Sequence, residues 1–544
     1  MISNAWKNGA ALVVAGSVIA ALAGCGQRLD SNDGGTPTYG GALTFYDPVQ
    51  YDAWKPTNSL WSNSQVANNI AERLIWQDPK TGEYKPWLAE SWTTSDDGLS
   101  YTFTLKDGVT FSDGTPLDSA VVKRNFDQHG IGDENRGITK DPFWLNYAGT
   151  DTPDAKTVVV RLTEPNAAFL QLFSNYRASS ILANSFLDRD LNGQSDLKNW
   201  VGTGPFVVDS VDGTNGVTLT RRDDYDWAPG GSTHQGKAYL DKVVFKTVAE
   251  GGTRVGALTT GDAQIARNIA PYDEETVSAG GGEILAVPVQ GETNDLTATL
   301  NEDSPIRDKQ VRLALQAATD RKAINETALS PSYPIPTSAL VKGTPLRADS
   351  SRFLGYDLDK AKDLLDEAGW KVGSDGIRSK NGQRLSLPLR VAPYYQVSQS
   401  VLEVLQSQWR KAGVEITLTS PSLTEYESQL ATGKNWYLTQ GQNSTAEPGV
   451  LAITYGSDQQ NSLKNPVPDA KLDSLIAAQA AERDPAERKS RIADLETYIF
   501  EQGYSIPLYD ETQVFALAPS VHGFGTESTA RSWFYDTWLT SGGN

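Results

Sequence analysis

Enzymatic chemistry needs a nucleophile beside a base, paired carboxylates, or metal-binding side chains at short spacing. The 544 residues show none of the usual patterns: no GxSxG, no Walker A loop, no HExxH and no GxGxxG. The three histidines, His129, His234 and His522, are far apart, so no metal site is signalled. Ser195-Asp196-Leu197-Lys198 matches SxxK, a match expected by chance in a chain this rich in Ser and Lys. Gly202-Thr203-Gly204-Pro205-Phe206 holds half of a dinucleotide fingerprint, and Pro205 obstructs the rest. The acidic pairs Asp96-Asp97 and Asp223-Asp224 read as solvated loops. The residue types therefore favour binding over catalysis, with no cofactor. A surface hydrolase or amidase with a non-local triad stays open as an alternative. The chain carries 14 Trp and 21 Tyr, most of them expected in cores. Trp61, Tyr394, Tyr395 and Trp436, in loops or at strand ends, are candidates to line a ligand cleft.

Forty-eight basic residues against 67 acidic ones give a net charge of −19, which argues against nucleic acid as a partner. The single cysteine, Cys25, excludes a disulfide framework and a CxxC site. Its position is informative. Lys7, an apolar stretch over 10–21 and Leu22-Ala23-Gly24-Cys25 describe a secretory signal ending in a sequence that resembles the bacterial lipobox. This implies cleavage after Gly24, acylation of Cys25, and a polar tether over 25–40 of about 20 Å. The body would then sit at the outer face of the cytoplasmic membrane, in a periplasm or at the cell surface, held to the bilayer by lipid alone.

The elements that must position any site alternate between helix and strand. Residues 41–47, 100–106, 157–163, 217–221, 242–248 and 435–441 read as strands, with Val414, Ile416 and Leu418 alternating in another. The spacing of Val66, Ile70 and Leu74 predicts a helix over 62–76. Further helices are expected after Asp118, over 251–260, over 308–325, after Asp357 to Gly369, over 397–412, and as a pair within 468–502. The class is α/β.

Six collinear segments then resemble one family. They are Trp87–Trp92 with residues 100–126, Val201–Phe206, Asn301 with 305–324, residues 356–370, residues 401–416, and Ile506–Tyr509. Together they resemble the solute-binding proteins of ABC importers in the peptide/nickel/opine class (extracellular solute-binding family 5). The resemblance implies a bilobed periplasmic-binding-protein-like fold (class II, cluster C) with an extra domain beside lobe I. It places lobe I at 36–70, 190–292 and 505–544, the extra domain at 71–189 and lobe II at 293–504, with crossings near 292 and 505. It further implies a monomer that takes a peptide or other small polar solute between its lobes and delivers it to a membrane permease. A ligand sensor without transport would look the same.

Peptide-binding members hold the α-amine with an Asp four residues before a Pro. Four residues before Pro448 stands Ser444, and the family's Trp position holds Gln442. A hydroxyl supplies only a dipole to an ammonium. The resemblance thus points to Gln442, Asn443 and Ser444 as altered readers, with Glu447 as a displaced counter-charge.

Overall fold

The computed structural model describes residues 35–51, 54, 63–141, 143–302, 304–432, 436–459 and 462–540. The signal, Cys25 and Trp61 lie outside these residues. From Pro37 onward the described residues form one compact unit.

Alternating residues build the first core. In the strand Ala42–Asp47, Leu43 and Phe45 are buried, and Phe45 meets Phe245, Phe515 and Phe534. This strand lies in a seven-stranded mixed sheet in the order 283–288, 512–517, 265–267, 42–47, 242–247, 216–221, 206–212. It runs parallel to both of its neighbours, Lys242–Thr247 and Ile265–Arg267. Beside the sheet, a four-stranded antiparallel sheet is made by Ala89–Thr94, Ser100–Leu105, Thr157–Leu162 and Tyr147–Asp151. The helix Ser119–Gly130 packs on it, its first turn capped by Asp118, which accepts from Val121 N at 2.9 Å.

A second core forms around three antiparallel strands, Leu438–Gly441, Asn294–Ala298 and Ser505–Tyr509, and the parallel pair Ser386–Arg390 and Glu415–Thr419. Helices Lys309–Ala317, Leu358–Glu367, Ser398–Lys411 and Pro485–Gln502 bury one face each against it. Trp409 is fully buried there and donates its indole N–H to Thr319 Oγ1 at 3.1 Å. The chain passes between the two main sheets at 289–293 and again at 510–511. These two passages touch, Val289 N donating to Glu511 O at 2.9 Å.

Two expected elements differ. The helix over 62–76 is one short turn, Ser64–Ala67, followed by the strand Ile75–Gln77. Val66, Ile70 and Leu74 are all buried, so the spacing is real, but the carbonyls of Asn69 and Ile70 are taken by Phe206 N and Gly204 N. Those bonds replace the ones a helix would make. The helix over 308–325 is two, Lys309–Ala317 and Arg321–Ala328. The Gln408 side chain exchanges hydrogen bonds with the backbone N and O of Asp320, and the Asp320 carboxylate caps the second helix at Ala323 N.

Candidate solute-binding site

A cavity of about 410 Å³ opens on the second core. Its floor follows from strand alternation. Along 294–300, Leu296, Ala298 and Leu300 enter the core, while Asp295, Thr297 and Thr299 face the cavity. Thr439 and Gly441 of the neighbouring strand continue that floor, paired with Thr297 and Asp295. Gln442 and Asn443 follow at the rim. Gln442 Nε2 donates to Val289 O at 3.3 Å, and Asn443 Nδ2 donates to Thr454 Oγ1 at 2.8 Å.

The walls are aromatic and charged. Arg390 ends its strand with only 4% of its surface exposed. Its guanidinium lies 4.3 Å from the Trp436 ring centre and 5.1 Å from that of Tyr426. Nη2 donates to Thr439 Oγ1 at 3.3 Å, while Nε and Nη1 are buried without a hydrogen-bond partner. Burial pushes its pKa down, yet a guanidinium remains charged at neutral pH. Tyr394 donates to Glu427 Oε1 at 2.7 Å, and Tyr395 stands beside it, its phenol pushed far up by burial.

Two carboxyl groups also line the cavity. Burial pushes Glu292 up to about 8, with nearby Asp295 adding to the rise and hydrogen bonds from Thr454 and Asn443 opposing it. Burial likewise pushes Asp295 up to about 7, against hydrogen bonds from Ser505, Thr297 and Tyr455. Among the described residues no group of three or more His, Cys, Asp or Glu gathers to hold a metal.

The structure thus brings Tyr394, Tyr395, Trp436, Gln442 and Asn443 into one cavity. Ser444 does not line it; its hydroxyl accepts from Arg531 Nη2 at 3.4 Å. Glu447 is turned away as well, paired with Arg488 at 2.5 Å and lining a separate groove against residues 143–172. Sequence reasoning missed Glu292, Asp295, Arg390 and Tyr426. The signal for Asp295 was present: polar Asp295, Thr297 and Thr299 alternate with apolar Leu296, Ala298 and Leu300.

All the residues that line the cavity lie within 292–464, on the second core. Hydrogen bonds between the two cores include Gln77 Nε2 to Ala446 O at 3.1 Å, Ala167 N to Ala480 O at 2.8 Å and Arg531 Nη2 to Ser444 Oγ at 3.4 Å. Two cores joined by two short passages, with a polar cavity on the second, define a binding protein of the bilobed class. The chain belongs to the bacterial extracellular solute-binding proteins, family 5, whose model matches residues 83–462. The family is one of binding proteins of ABC importers, not enzymes. The glutathione-binding protein GsiB of Shigella dysenteriae is 28% identical over 526 residues, covering 94% of this chain and 95% of that protein. GsiB of Escherichia coli K12 is also 28% identical, over 89% and 90% of the two chains. NikA of Brucella suis, solved with Fe(III)-EDTA, superposes with a TM-score of 0.77 at 24% identity, over 92% of this chain and all of that one. The oligopeptide-binding protein AppA of Bacillus subtilis, solved with a nonapeptide, gives 0.76 at 21%, over 93% and 100%. Among the described residues no helix is long and apolar enough to cross a membrane.

Proposed function

We propose that the chain is the receptor of an ABC importer for a short peptide-like solute with a free carboxylate, glutathione or a peptide of similar size. The observation that carries this is Arg390. A buried guanidinium whose Nε and Nη1 have no hydrogen-bond partner lines the cavity, and a carboxylate supplies both an acceptor and the counter-charge it lacks. A volume of about 410 Å³ suits a solute of that size rather than a long peptide. The relatives named for glutathione support the same ligand class. In this reading Trp436 and Tyr426 hold the guanidinium flat, Gln442 and Asn443 read amide groups of the solute, and the first core closes over it. Lobe I comprises 36–70, 190–292 and 510–544, with 71–189 as its extra domain and 293–509 as lobe II; the return crossing expected near 505 falls at 510–511, because Ser505–Tyr509 pairs with Asn294–Ala298 in the second core. The closed form docks on the permease.

Titration of residues 35–544 with glutathione and Ala-Ala-Ala, followed by calorimetry and tryptophan fluorescence, tests this. The expected result is saturable one-to-one binding of at least one of them, with a fluorescence change from Trp436. No binding to either overturns the ligand class. Acylation at Cys25 would hold the receptor at the membrane. Cys25→Ser is then expected to move the protein from the membrane fraction to the soluble fraction, and unchanged membrane retention would contradict the anchor.

A further inference from the structure

Glu292 and Arg390 line the same cavity, and each carries buried ionisable atoms without a hydrogen-bond partner. Only 7% of Glu292 is exposed. Its Oε2 accepts from Thr454 Oγ1 at 2.7 Å and from Asn443 N at 3.2 Å, while Oε1 is unpartnered. Asp295 differs. Its Oδ1 accepts from Thr297 Oγ1 at 2.9 Å, and its Oδ2 accepts from Ser505 and Tyr455. Asp295 is therefore satisfied within the protein, and Glu292 is half satisfied. An unmade bond on a buried polar group is costly, so Oε1 is the oxygen left open to a group of the solute.

We propose that Glu292 receives an ammonium group of the solute in the cavity that Arg390 serves for a carboxylate. This rests on reading that cavity as the solute site. The residue that the family resemblance would assign to this task, at 444, is a serine occupied by Arg531. The gathering of donors among the described residues is too small for a metal ion, which favours an organic cation. Binding is then linked to a proton. In the empty cavity Glu292 keeps its proton at neutral pH, because burial and Asp295 raise its pKa. An incoming ammonium favours the carboxylate, so the Glu292 proton leaves to solvent and a charge-assisted bond forms. The other titratable groups around it do not supply that counter-charge. Asp295 has both oxygens bonded within the protein, Glu511 accepts from Asn294 and does not line the cavity, Tyr395 and Tyr455 are phenols pushed up by burial, and Arg390 and Lys464 are cations of the same sign as the solute amine.

Calorimetry at pH 7 in two buffers of different ionisation enthalpy decides the matter. The probes are glutathione and Ala-Ala-Ala, each free and N-acetylated, against the wild type and Glu292→Gln. The wild type is expected to prefer the free amine by about 10- to 100-fold and to release a proton on binding it. Its affinity for the free amine rises from pH 6 to 8. Glu292→Gln, which matches the protonated acid in shape, is expected to lose both the preference and the proton. Equal affinity of the wild type for free and acetylated probe, with no proton released, overturns the proposal while leaving the solute site intact. A preference that persists in Glu292→Gln also overturns it. If no probe binds the wild type, the ligand class proposed above falls and this inference falls with it. The wild-type comparison decides even where the variant fails to fold.

Discussion

Arg267 and Asp47 form a fully buried ion pair inside the seven-stranded sheet, with Nη2 to Oδ1 at 2.7 Å and Nε to Oδ2 at 3.0 Å. Tyr51 Oη donates to Asp47 Oδ2 at 2.9 Å, and Arg267 Nη1 donates to Gln513 Oε1 at 2.7 Å. Three strands are thereby tied by one network. Removing one partner leaves an uncompensated buried charge, so Asp47→Ala is expected to cost about 3–5 kcal/mol in chemical denaturation. A change below about 1 kcal/mol would contradict that assignment. Such residues show how legibility fails at this scale. Asp47, Arg267, Arg390 and Glu292 are charged residues in or beside strands, and nothing local separates a buried charge from a solvated one. Gln442 and Asn443 line the cavity where a flanking motif had put them, at its rim. Glu447 was misplaced for the converse reason: its partner, Arg488, is 41 residues away on a helix, and no local pattern joins the two.

At the scale of elements, most of the secondary structure was legible because caps and alternation are local. Asp118 and Asp357 start their helices as their spacing suggested, each side chain accepting from the backbone N–H three residues on. The exceptions are segments whose backbone groups are claimed from a distance, at Asn69–Ile70 and at Asp320. The turn Gly202–Phe206 belongs to the first of these. A Cβ on Gly202 would lie 2.1 Å from Ile70 O, a backbone atom that already accepts from Gly204 N. Gly202→Ala is therefore expected to destabilise the protein by about 1–3 kcal/mol, or more if the turn cannot shift, with solute affinity per folded molecule unchanged. Urea midpoints and calorimetry on the same sample check this, and full stability would show the contact to be loose. A second close approach sits at the passage between the cores. Gly291 has φ +134°, and a Cβ there would lie 2.3 Å from Asn443 O. The passage thus lies directly against the loop that rims the cavity.

Across the whole molecule, the two cores are joined at 289–293 and 510–511, and the cavity residues Glu292 and Asp295 stand at the end of one passage and the start of the next strand. In the proposed reading a solute held there touches the passage at 289–293, through Glu292, which would link occupancy to closure of the cores. The global arrangement was legible through six collinear segments rather than through periodicity, since a seam between two cores is set by contacts remote in sequence. The central claim is that the cavity holds the solute by its carboxylate on Arg390. Affinity-selection mass spectrometry with a library of di- and tripeptides plus glutathione, on wild type and Arg390→Gln, tests it most directly. The account predicts that the wild type retains members with a free carboxylate. It also predicts that Arg390→Gln, folded by circular dichroism, retains them at least about 10-fold less. Equal retention by the two proteins, or preference for carboxyl-amidated members, would contradict it.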